Sequence, residues 1–201
     1  MKTLPWKSRA AAATACLAAI VGSAQMPAYA LGVTGTAPQA GSTTLVLNGT
    51  GARLGTTTYL YSAKLYLEHK TTDPQAILQN MGTTQFRMTM LQDASANEIL
   101  DLISQGIVAN ASDDDLITLV SEIFDVGVLI GDQGKLLAGD SIEIDSHPAA
   151  GTTLTARSRA HSEPITQTFA NPRLFKVMMG IWLGERPADP ALKQALLGQP
   201  I

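Results

Sequence analysis

The segment Tyr59-Leu-Tyr-Ser-Ala-Lys-Leu-Tyr-Leu67 decides the fold class. Tyr59, Tyr61, Ala63, Leu65 and Leu67 fall on one face of an extended chain, with Lys64 and Glu68 on the other and Tyr66 between them. That period of two predicts a half-buried strand over about Thr56 to His69, one side against a core and one toward water. Upstream, Thr43 to Leu47 carries a second strand signal, and Asn48-Gly49-Thr50-Gly51 reads as the turn between the two. Downstream, Gln85 to Leu91 alternates again, with Phe86, Met88 and Met90 facing one way.

The period then changes to that of helices. Asp73-Pro74 opens a short helix, since Asp offers a capping acceptor and Pro suits the first helical position. Ser95-Ala-Asn-Glu98 is a capping box, followed by Ile99, Leu102, Ile103 and Ile107 at helical spacing. Asp113-Asp114-Asp115 begins a second helix whose apolar face holds Leu116, Leu119, Val120 and Ile123. The three acids lack the spacing and distal Glu of a calcium loop, so a solvated helix start is the simpler reading. Ser141 to Asp145 and Thr152 to Ser158 form a hairpin closed by His147-Pro148-Ala-Ala-Gly151, its strands carrying opposite charges suited to surface pairing. Pro164 to Phe169 is a last strand. Asn171-Pro172 starts a helix that is apolar nearly all round, ends at Gly184, and therefore belongs in the interior. Asp189-Pro190 starts a final short helix ending before Gly198. Strands, helices, a hairpin and a packed terminal helix make an α+β pattern in one domain, residues 43–201.

Residues 1–30 read as a cleavable signal peptide. Lys2, Lys7 and Arg9 precede an apolar stretch from Ala10 to Val21, and Ala28-Tyr29-Ala30 supplies small residues at the cleavage positions. The apolar stretch is shorter than the ~20 residues that span a bilayer. Export to the periplasm or the medium follows, with residues 31–42 a Gly/Ala/Thr/Pro-rich flexible leader. The chain of 201 residues is 45% hydrophobic and only 15% charged, where about 25% is usual. Cleavage after Ala30 leaves 171 residues with 11 basic and 17 acidic side chains, net −6, and no Cys. That balance argues against nucleic acid and anionic lipid surfaces. The lack of Cys excludes thiol chemistry and disulfides, and the three His lack zinc spacing.

Catalytic signatures are missing: no G-x-S-x-G elbow, no P-loop, no dinucleotide fingerprint. His161-Ser162-Glu163 has triad residue types, but neighbours on an extended chain point to opposite faces. Arg53 stands out, a cation after a glycine-containing run and beside an apolar strand. Two readings stay open. It is a structural or surface arginine, or it clamps an anion at the end of an apolar cleft, with Tyr61 or Tyr59 adding a phenolic donor.

Leu47-Asn-Gly-Thr-Gly-Ala-Arg53, Tyr61-Ser-Ala-Lys-Leu-Tyr-Leu67, Gly139-Asp140 and Ile181-Trp-Leu-Gly-Glu-Arg-Pro-Ala-Asp189 occur in one order. With Leu192-Lys193 and Leu196-Leu197-Gly198 they resemble bacterial chalcone isomerase-like proteins over nearly all of residues 43–198. The resemblance implies an open-faced β-sandwich: an antiparallel sheet with helices packed on one face and a ligand cleft between them. Family enzymes cyclise a chalcone and use an Arg at the position of Arg53 to hold developing negative charge. Their Thr on the next strand is Tyr61 here. Their helical Tyr and Asn have no match, Glu98 and Gln105 lying nearby, and their late-helix Ser or Thr falls near Phe175. Fatty-acid-binding relatives use an Arg and a Tyr on a carboxylate, as Arg53 and Tyr61 would. The resemblance therefore implies a non-catalytic domain that needs no cofactor or metal and takes a small amphipathic carboxylate. The alternatives are an isomerase or intramolecular lyase using Arg53 on an oxyanion, and a structural or partner-binding protein.

Overall fold

A computed structural model describes residues 44–55, 57–79 and 82–199. The signal peptide and leader expected over residues 1–42 lie outside the described residues. Six strands form an antiparallel sheet: β1 (Val46–Leu54), β2 (Tyr59–Leu67), β3 (Thr84–Met90), β6 (Ser141–His147), β7 (Gly151–Arg157) and β8 (Ile165–Phe169), in that spatial order. A short pair, β4 (Ala94–Ser95) with β5 (Lys135–Leu136), stands apart. Helix α1 (Pro74–Leu78) links β2 to β3, while α2 (Ala96–Asn110), α3 (Asp113–Thr118) and α4 (Val120–Gly131) fill the connection from β3 to β6. Helices α5 (Arg173–Leu183) and α6 (Pro190–Leu196) close the chain.

The alternation of the strands separates the two faces. Leu65, Phe86, Ile144 and Leu154 lie side by side across four strands, and each is essentially inaccessible. On the opposite face the matching row is Lys64, Arg87, Glu143, Thr155 and Thr166. Helices cover only the apolar face, so the α+β open-faced sandwich expected from the sequence is what forms. On the polar face, among the described residues, Glu143 is a buried charge. Glu143 is held by Arg157 at 3.1 Å and by Arg87 at 3.2 Å from the other side, so opposite charges do pair across the strands, but around a buried carboxylate and not at the surface as expected.

Helix α5 is the keystone of the core. Nine of its eleven residues are buried. At ~1.5–3 kcal/mol for each large apolar side chain removed from water, this one helix supplies a major share of the hydrophobic stabilisation. Asp140 ties the hairpin to its surroundings. Its fully buried carboxylate accepts hydrogen bonds from the backbone of Leu137 and Arg159 and from the Ser158 hydroxyl. Burial pulls its pKa upward, yet these donors and the Arg159 guanidinium together hold it below the ordinary value.

Four expectations need correction. Asn48 to Gly51 is not a turn but the middle of β1, which starts at Val46; Thr43, where the strand was expected to begin, lies outside the described residues. The reason is long-range: a Cβ on Gly49 would strike the carbonyls of Ala195 and Leu196, and one on Gly51 would press on Ala195 and Leu192. The glycines let α6 lie directly on the strand. Tyr59 is 54% exposed, because β1 and β2 lose register between Arg53 and Leu54 and run past the helical cover. The second helix is two, α3 and α4, broken at Leu119 (φ −105°, ψ 14°). Leu119, between the β-branched Thr118 and Val120, leaves helical angles and is fully buried in the core. Val120 consequently faces water, at 66% exposure.

Candidate functional site

Arg53 and Tyr61 are direct cross-strand partners near the hairpin end of β1 and β2. The tyrosine sits in the inward series of β2 and is 3% exposed. Its phenolic oxygen accepts a hydrogen bond from Trp182 Nε1 at 2.9 Å. The Trp182 ring in turn lies on Phe86, centroids 4.2 Å apart and planes tilted by 36°. Burial pushes the Tyr61 pKa up, against the opposing pull of the Trp182 hydrogen bond and the Arg53 charge. The phenol is therefore a neutral donor at physiological pH.

Arg53 is half-buried. Its Nη1 donates to the carbonyl of Ala188 at 3.0 Å, immediately before the Asp189 cap of α6. Asn48, at the other end of the same strand segment, donates to the carbonyl of Leu196 at 2.8 Å. The run from Asn48 to Arg53 thus grips both ends of α6, with the two glycines making room between. Among the described residues Arg53 has no ion pair with a carboxylate. A guanidinium carries five donors, and besides the Ala188 carbonyl this one also acts on the neighbouring Tyr61 phenol.

An apolar seam runs inward from this pair, lined by Met88 of β3, Ile99, Leu102 and Ile103 of α2, and Ile181 of α5. Its open volume is about 10 Å³. That holds roughly one water molecule, so the expected cleft between sheet and helices is closed. Roomier hollows occur elsewhere, about 280 Å³ beside Glu68 and His69 and about 390 Å³ beside Asn110 and Lys176.

The other positions weighed from the sequence do not reach the seam. Glu98 completes the capping box, its carboxylate accepting from the Ser95 backbone at 2.8 Å and hydroxyl at 2.9 Å. Gln105 points to solvent, and Phe175 is fully buried in the core. Trp182 was not singled out by sequence reasoning. Its only signal was its place in Ile181-Trp-Leu-Gly-Glu185, where an aromatic on an apolar helix reads as core.

The chalcone isomerase-like family profile matches residues 33–198, and the chain belongs to that family. Among solved structures it is similar to a fatty-acid binding protein from Arabidopsis thaliana, with a TM-score of 0.54. The two are 14% identical over 78% of this chain and 88% of that one, a likeness of fold. No curated protein matches the sequence.

Proposed function

We propose that this protein is a non-catalytic carrier of a small amphipathic carboxylate, such as a fatty acid, with Arg53 and Tyr61 at the polar end of the site. One observation carries the reading: a half-buried guanidinium that forms no ion pair with a carboxylate among the described residues stands beside a buried neutral phenol, at the head of an apolar seam. The fork of Arg53 suits two carboxylate oxygens, and the phenol offers a further donor. Each charge-assisted bond is worth ~1.5–3 kcal/mol. An acyl chain adds ~0.8 kcal/mol per buried methylene. The family and the fatty-acid-binding neighbour support the same reading. Entry of a chain requires α2 to part from α5 and the sheet, because the seam is closed. We further propose export, with cleavage after Ala30.

Two alternatives make different demands. An isomerase needs a group that moves a proton at the substrate, and beyond Arg53 the polar side chains lining the seam, among the described residues, are the Tyr61 phenol and the Trp182 indole. A purely structural Arg53 is favoured by its bond to Ala188. Titration with oleate and with oleyl alcohol separates these readings. The carrier reading expects oleate to bind, the alcohol to bind at least tenfold more weakly, and Arg53→Ala to remove that preference while the fold survives. Unchanged oleate affinity in Arg53→Ala, with lowered thermal stability, would leave Arg53 a strut for α6.

A further inference from the structure

Helices α3 and α4 are apolar on two sides, and the fold uses one. Leu119, Val126, Leu129 and Ile130 are buried in the core. On the other side Ile117, Val120, Phe124 and Val128 are exposed by 77%, 66%, 69% and 44%. On α4, at 3.6 residues per turn, Val120, Phe124 and Val128 fall within an arc of about 80°, and Ile117 is the exposed apolar residue of α3 just before the break. Single exposed apolar residues are ordinary, but three on one face of a helix, with a fourth on the turn before it, make a patch.

Gly127 and Gly131, one turn apart, border the same stripe. A Cβ at Gly127 would meet nothing within 4 Å, and one at Gly131 only a Leu100 methyl at 3.8 Å. Neither position needs glycine for packing inside this chain, and glycine is a poor helix former. What the pair provides is a shallow surface on which another helix can approach closely.

Charge selects the occupant. Residues 113–132 contain six acidic side chains and no Lys or Arg. Asp114 is engaged by Arg173 at 2.6 Å and Asp125 by Gln167 at 3.2 Å, while Asp113 and Asp132 make no ion pair among the described residues. A second copy of this chain would set the same acids against each other, and an anionic bilayer would be repelled. We propose that this face docks a helix of another protein, one whose apolar stripe is edged by Lys and Arg.

The test uses the full chain and a fluorescein-labelled 18-residue helical peptide with Leu along one face and Lys on its flanks. A matched peptide carries Glu in place of Lys. The expected result is saturable binding of the Lys peptide, at least tenfold weaker binding of the Glu peptide, and loss of affinity with added salt. The double variant Val120→Ser/Phe124→Ser should lose at least tenfold. Gly127→Leu should lose as much while its melting temperature is unchanged or higher, since its side chain projects into open space. The proposal is overturned if the Lys peptide does not bind or if both variants bind it equally well. It is also overturned if sedimentation shows dimers at micromolar concentration that Phe124→Ser dissolves, or if vesicles of neutral and anionic phospholipid bind this face instead.

Discussion

Tyr61 and Asp140 show how single residues couple position to chemistry. Burial raises the Tyr61 pKa, so the unfolded chain releases that proton first as pH climbs. Native stability should then fall above about pH 10, and Tyr61→Phe should flatten that alkaline limb in urea titrations. Asp140 works at the opposite end. Its folded pKa is depressed, so its contribution is present above about pH 4 and is lost as pH drops through the folded value. Asp140→Ala leaves the N–H groups of Leu137 and Arg159 and the Ser158 hydroxyl without their acceptor, and should cost ~2–4 kcal/mol in the same titrations. Trp182→Phe keeps the stacking on Phe86 but removes the donor to Tyr61, for a loss of ~1–2 kcal/mol. Arg53 and Tyr61 were legible in the sequence, one as an isolated cation after glycines, the other as a member of an alternating strand. Trp182 was not, because its partner lies 121 residues away and only tertiary packing joins them.

Elements were legible where their punctuation is local. Asp73-Pro74, Ser95 with Glu98, Asn171-Pro172 and Asp189-Pro190 each mark a helix start that the structure contains. Gly151, at φ 90°, ends the expected turn between β6 and β7. Local reasoning failed where distant chain sets the conformation. Asn48-Gly49 has the composition of a hairpin turn, but its glycines answer to α6, which arrives nearly 150 residues later. Gly49→Ala should therefore cost ~3 kcal/mol by pushing α6 off β1, and should free the C-terminal amides to exchange with deuterium faster than those of the central strands. Leu102 of α2 lines the seam and is only partly buried. Leu102→Ala should enlarge the opening and raise the association rate of a fluorescent fatty acid in stopped-flow mixing, if uptake depends on α2 moving aside.

For the whole molecule, period-two strands and period-3.6 helices were enough to foresee an α+β domain with one covered sheet face. The order of the strands was not readable from periodicity, since every central strand shows the same alternation and β3 pairs with β6 across three intervening helices. The polar outer row from Lys64 to Thr166 and the apolar inner row from Leu65 to Leu154 follow from that order. Proposed export makes its own demand at this scale: intact-mass analysis of the secreted chain should show Leu31 as the first residue, and retention of residues 1–30 would refute the cleavage. The carrier reading joins the whole fold to one arginine, and it is tested most directly by denaturing extraction of the purified protein followed by mass spectrometry of the released small molecules. The account predicts a near-stoichiometric fatty acid from the native chain and none from Arg53→Ala. An extract empty in both, from protein that also fails to take up added oleate, would contradict it.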